Sequence, residues 1–83
     1  MAKAQFNLAE MYKDGLGVPQ DNAEAAKWFL SATEQGMADA QFNLAEMYKQ
    51  GLGIQKDDAE AAKWYRKAAE QEIANAQFNL AEM

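Results

Sequence analysis

Three asparagines, Asn7, Asn43 and Asn79, recur 36 residues apart, each inside the same eight letters, AQFNLAEM. An asparagine side chain offers a donor and an acceptor together, so a stack of them suits the peptide groups of an extended chain of any sequence. Asparagine also tolerates a solvated helix face or bonds to its own backbone, and simple duplication of a unit would copy it. Other groups recur in the same register: Phe6, Phe42 and Phe78; Glu10 and Glu46; Lys13 and Lys49. Together they form the candidate peptide-binding set.

Catalytic chemistry finds little to work with. The chain has no His and no Cys, and its single Ser, Ser31, lacks an imidazole to act as base. Glu10 and Glu46 on neighbouring helices should stand ~8–10 Å apart, too far for the ~5–5.5 Å of a retaining glycosidase pair and near the inverting range. Nothing marks either carboxylate as buried, so both read as solvated. Gly15-Leu16-Gly17 and Gly51-Leu52-Gly53 follow helices rather than strands and lack the Lys and Ser/Thr of a phosphate loop. They end helices instead. Asp57-Asp58 reads as a helix cap, because no further ligands follow at calcium-loop spacing. The residues imply no enzyme, no cofactor and no metal.

Composition narrows the partners. The 83 residues are 49% hydrophobic and 25% charged, with a net charge of −5, as befits one small soluble domain. A sequence pI near 4.5 argues against nucleic acid, whose affinity rests on neutralising phosphates with Lys and Arg. No apolar run approaches the ~20 residues of a membrane span. Repeat sequence follows Met1 directly, so no signal peptide is read.

The elements that must position the candidate set follow from the repeat. Residues 1–36 and 37–72 share 25 identities, and residues 37–47 and 73–83 share 9. The chain therefore divides into units 1–36 and 37–72 and a partial unit 73–83, within one repeat domain spanning 1–83. Ala4, Leu8, Met11 and Tyr12 recur at helical spacing, widened by Ala9. Gly15 suits the left-handed position that closes a helix. Asp21 with Glu24 resembles a capping box, and Ala25, Trp28, Phe29 and Ala32 form the next stripe up to Gly36. Unit two repeats this with Gly51, Gly53, Asp57, Glu60, Ala61, Trp64, Tyr65 and Ala68, and Gln55 stands for Pro19 in the connector. The pattern predicts five helices, at about 3–14, 22–35, 39–50, 58–71 and 75–83, and no strand. Antiparallel helix hairpins then stack into an all-α α/α superhelix of about 2.3 repeats. Ala9, Ala45, Ala25, Ala26, Ala61 and Ala62 allow close helix approach, and Trp28 and Trp64 are expected to be the main core wedges.

At these residues the sequence resembles the Sel-one-like repeat (SLR) family, relatives of the tetratricopeptide repeats. The resemblance rests on Ala4, Leu8-Ala9, Met11-Tyr12, Gly15-Leu16-Gly17-Val18, Asp21, Ala25, Trp28-Phe29 and Ala32-Thr33-Glu34-Gln35-Gly36, and it covers the whole chain. It implies an adaptor or scaffold that gathers partner proteins or holds peptides. Asn7, Asn43 and Asn79 align with the asparagine ladder of some tetratricopeptide proteins. Two departures stand out. Ala9, Ala45 and Ala81 replace a usual Gly, and Glu72 stands where Gly36 does, so the second hairpin end should be altered, with the helix running on as one outcome. Disulfides found in some family members are ruled out without Cys. The near-identity of the units and the stop inside AQFNLAEM suggest an excised or designed fragment.

In a two-helix solenoid the first helices line the concave side. Lys3, Phe6, Asn7, Glu10, Lys13 and Asp14 should then face the groove, followed by Asp39, Phe42, Asn43, Glu46, Lys49 and Gln50, and by Asn75, Phe78, Asn79 and Glu82. The phenylalanines serve either as groove platforms or as filling between adjacent first helices. The ends raise a further expectation. Ala76, Leu80 and Met83, and the side of unit one before Ala4, lack a neighbour, so weak self-association or a helix-swapped dimer stands against a frayed monomer. A protein or an extended peptide is the expected partner, and a ligand-free structural fragment is the alternative.

Overall fold

The computed structural model describes the backbone of residues 1–82 and the side chains of residues 1–72. Four helices follow one another: α1 (Ala2–Asp14), α2 (Asn22–Thr33), α3 (Ala38–Gln50) and α4 (Asp58–Glu82). No strand occurs among the described residues. The two connectors are built alike. Gly15 and Gly51 close α1 and α3 at φ 72° and 69°, a region that favours residues without a Cβ. Asp21 N–H then donates to Tyr12 C=O at 2.8 Å, and Asp57 N–H donates to Tyr48 C=O at 3.0 Å. Each aspartate carboxylate accepts from the N–H of the glutamate three residues on, at 3.1 Å. Only that half of the capping box forms in full view: Glu24 turns instead to Lys27, and Glu60 to Trp64.

The expected fifth helix is not separate. At the end of α2 the chain turns through Gly36 at φ 79°, with Gly36 N–H donating to Thr33 C=O at 2.9 Å. Glu72 occupies the matching place in unit two, and a left-handed turn there would cost a Cβ-bearing residue ~1–2 kcal/mol. The helix runs straight on, and α4 reaches 25 residues. At 1.5 Å per residue it is about 37 Å long, which accounts for most of the molecule's 45 Å greatest extent.

Helices α1 and α2 form one hairpin and α3 and α4 the next, and α2 packs on α3 to join them. The core lies at this joint. Ala9, Ala25, Ala26, Phe29, Ala32, Ala40, Leu44 and Met47 form one buried cluster, and Phe29 and Leu44 are its largest side chains with no exposure. Alanines at Ala9, Ala25, Ala26 and Ala45 are buried as expected, whereas Ala62 is exposed. The expectation for the tryptophans is corrected as well. Trp28 and Trp64 are half-buried and pack on the cluster from outside. Trp64 donates from Nε1 to Glu60 Oε2 at 3.2 Å, and the Lys63 and Lys67 ammonium groups stand 5.2 and 4.9 Å from its ring. The paired indole N–H suits Trp64 to the rim, and in unit one Phe29, beside Trp28, fills the centre.

Two further contacts fasten the hairpins. Gln35 Nε2 donates to Gln5 Oε1 at 2.8 Å, and Gln71 Nε2 donates to Gln41 Oε1 at 3.0 Å. Across the joint, a Cβ placed on Gly53 (φ +70°) would fall on the backbone of Asn22 and Ala23, so the second connector lies directly on the start of α2. The core assignment has a consequence for stability. Phe29→Ala should cost about 3–5 kcal/mol, as buried aromatic truncations do, and Trp28→Ala clearly less. Thermal unfolding followed by circular dichroism measures both, and equal losses would contradict the placement of the core.

Candidate functional site

Eight of the ten candidates sit on α1 and α3, the first helices of the hairpins, whereas Phe78 and Asn79 fall in the continuation of α4 rather than on a separate first helix. Four members of the set meet in one recess. Lys13 from α1 and Phe42, Asn43 and Glu46 from α3 line it, together with Met47, Gln50 and Leu52, around about 230 Å³. Helical spacing explains the grouping: positions 42, 43, 46, 47 and 50 share one side of α3 at 100° per residue. Leu52 enters because Gly51 turns the chain back over the end of that helix.

Phe42 is 46% exposed, yet its ring is anchored. It stands edge-on to Tyr65 of α4 with centroids 5.5 Å apart, and Phe6 meets Phe29 of α2 in the same way at 5.6 Å. Each phenylalanine therefore packs across its own hairpin, a third arrangement beside the groove platform and the joint between first helices. Asn43 is half-buried and donates from Nδ2 to the Asp39 carbonyl at 2.9 Å, leaving its Oδ1 as acceptor. Glu46 accepts from Gln50 Nε2 at 3.3 Å. Asn7 is exposed, Phe6 and Glu10 are half-buried, and none of the three lines the recess. Lys49 is exposed outside it. Phe78 and Asn79 lie outside the described side chains. The recess thus gathers part of the candidate row.

Sequence reasoning missed a second and larger recess of about 440 Å³, lined by Tyr48, Ile54, Gln55, Lys56, Asp57 and Glu60. By the repeat register Tyr48 matches Tyr12 of the apolar stripe, and Asp57 and Glu60 match the capping pair Asp21 and Glu24. Both assignments hold locally, and the three polar side chains still converge at the mouth of the hairpin. The Tyr48 phenol is raised above its ordinary value of 10.0 by burial, and then by the Glu60 and Asp57 carboxylates. The Tyr65 phenol is raised too, by burial first, then by the charge of Glu46 and a hydrogen bond to it. The carboxylates reach Tyr48 from the connector and α4, and Tyr65 from α3, so no local spacing in the sequence signals either pairing.

Among the described residues, no three His, Cys, Asp or Glu side chains converge in a way that could hold a metal ion, and no helix is long and apolar enough to cross a membrane. The repeat itself decides the family. The Sel1 repeat model matches residues 2–37 and 38–72. The chain belongs to the Sel1 repeat family. A crystal structure of a Sel1 repeat protein from Oxalobacter formigenes superposes with a TM-score of 0.85 at 49% identity, over 94% of this chain and 32% of that one. The protective antigen c5321 of uropathogenic Escherichia coli strains, which displays an SLR fold, gives 0.83 at 46% identity, over 84% of this chain and 15% of its own. The chain thus spans a third or less of these two solved proteins. No curated protein matches the sequence. Sel1 repeats are generally non-catalytic protein-interaction modules.

The raised tyrosines give the fold a pH dependence of fixed sign. A phenol whose folded pKa lies above the unfolded value stabilises the fold fully below pH ~10, and that contribution fades as pH rises from ~10 through the folded value. Tyr65→Phe, which installs the residue unit one has at position 29, should lessen the loss of stability on going from neutral to strongly alkaline pH. Denaturant unfolding at the two pH values tests this, and an unchanged alkaline loss would contradict it.

Proposed function

We propose that this Sel1 repeat chain binds proteins by taking an extended segment across α1 and α3, with one side chain seated in the recess of Lys13, Phe42, Asn43, Glu46, Met47, Gln50 and Leu52. The single observation that carries the reading is the composition of that recess. Apolar Phe42, Met47 and Leu52 stand beside polar Asn43 and Gln50 and beside one charge of each sign, Lys13 and Glu46. Its volume of about 230 Å³ falls below the ~300–1,000 Å³ of small-molecule pockets. It suits a side chain better than a free metabolite. Asn43 Oδ1, which has no partner among the described residues, can accept a peptide N–H from the bound segment, and Asn7 and Asn79 extend the row in sequence. The larger recess is the weaker site because Asp57 already caps α4 and Glu60 already holds Trp64.

The alternative, a structural repeat with no ligand of its own, draws support from the bond that Asn43 makes to its own helix. A peptide array separates the two. The chain should select a subset of peptides, Phe42→Ala and Asn43→Ala should each weaken those by about tenfold, ~1.4 kcal/mol, and Glu34→Ala on the exposed end of the first hairpin should leave them unchanged. Absence of any selected peptide, or selection that survives Phe42→Ala, would sink the binding proposal.

A further inference from the structure

The joint between the hairpins shows what each helix face looks like when covered, and the same faces occur once more uncovered. Residues 4–13 and 40–49 carry one sequence, AQFNLAEMYK. In α3, packed on α2, Ala40 and Leu44 are fully buried and Met47 is 2% exposed. Their counterparts in α1 are open: Ala4 is exposed, Leu8 half-buried and Met11 39% exposed. The second helices differ in the complementary way. In α2, Ala26, Phe29 and Thr33 are buried. Their counterparts in α4, Ala62, Tyr65 and Ala69, are exposed, half-buried and exposed.

The connectors follow suit. Gly53 lies on the backbone that starts α2, whereas a Cβ on Gly17 would meet only the end of the Met11 side chain, at 3.5 Å. The α2–α3 joint thus has uncovered counterparts, the same ten residues on α1 and the matching positions on α4, where Tyr65 stands for Phe29 and Ala69 for Thr33. The continuation of α4 through Glu72 matters here. A straight helix cannot fold back over its own first half, so among the described residues no later helix covers Ala62, Tyr65 and Ala69.

We propose that α1 of one copy packs on α4 of a second copy, head to tail, repeating between chains the joint that α3 makes with α2 within one. The occupant is a second copy because α1 presents the same ten residues that α3 presents to α2. On this geometry Ala4, Leu8 and Met11 of one chain cover Ala62, Tyr65 and Ala69 of the other, and the Gly17 connector settles over the start of α4. The contact uses different patches on the two copies, so it is heterologous and continues into longer assemblies or a ring. The net charge of −5 opposes association, and salt screens that repulsion.

The test exploits the two unlike patches. Ala4 and Ala62 are exposed within one chain, so Ala4→Arg and Ala62→Arg each block one patch while leaving the fold intact, as circular dichroism would verify. In sedimentation at rising concentration, the unaltered chain should climb above its 9.2 kDa monomer mass, more readily at higher salt. Each variant alone should stay monomeric. Their equimolar mixture should associate and stop at the dimer, because one intact patch of each kind remains. An unaltered chain that stays monomeric to millimolar concentration would overturn the proposal. So would variants that still associate alone, or a mixture that does not.

Discussion

A pair of short helices cannot bury its own apolar side, and this constraint governs the molecule. Each hairpin here leaves one face of its second helix without cover until another first helix is laid against it. The α2–α3 joint provides that cover, and the largest fully buried side chains, Phe29 and Leu44, belong to the cluster it encloses. Small residues at Ala26 and Ala40 let the helices approach. The joint also fixes the connector of unit two, because Gly53 rests on the start of α2. The recess on α3 depends on the same arrangement. It takes Lys13 from one hairpin and Phe42 from the other, so it exists only while the two are stacked.

The repeat geometry was largely legible in the sequence, for physical reasons. A period of 36 with glycine pairs after each first stripe demands helix, tight connector and helix, and the Asp-to-Glu spacing marks where each second helix starts. Depth was not legible. Helical periodicity assigns a residue to a side of its helix and says nothing about whether a neighbour covers that side. Trp28 and Phe29 are adjacent apolar aromatics, yet Trp28 packs on the cluster from outside and Phe29 fills the centre. Met11 and Met47 sit in the same ten letters, 39% and 2% exposed, because one helix is at the end of the stack and the other inside it.

The site shows the same division. That Phe42, Asn43 and Glu46 share a face of α3 with one another followed from spacing alone. The arrival of Lys13 from α1 and of Leu52 from the connector did not, since both depend on the angle at which the hairpins stack. Sequence also left open where the phenylalanines point. Their edge-on packing against Phe29 and Tyr65 places them within hairpins, with Phe42 keeping enough exposure to border the recess. The fourth and fifth helices are one because of a single letter, the Glu72 whose departure from Gly36 already pointed to a helix running on. Glu72 removes the turn that Gly36 makes, and α4 continues.

Residue-resolved hydrogen exchange tests the central role of the joint directly, because the chain contains its own control. The segments 4–13 and 40–49 have the same sequence, so their shared amides have matching exchange rates when unprotected. Any difference between them reports only the surroundings of α1 and α3. At a dilution that keeps the chain monomeric, the amides of 40–49 should exchange about tenfold or more slowly than their counterparts, a gap of ~1.4 kcal/mol or greater. Equal protection of the two segments would show that α3 gains nothing from its place between hairpins, and would contradict the account.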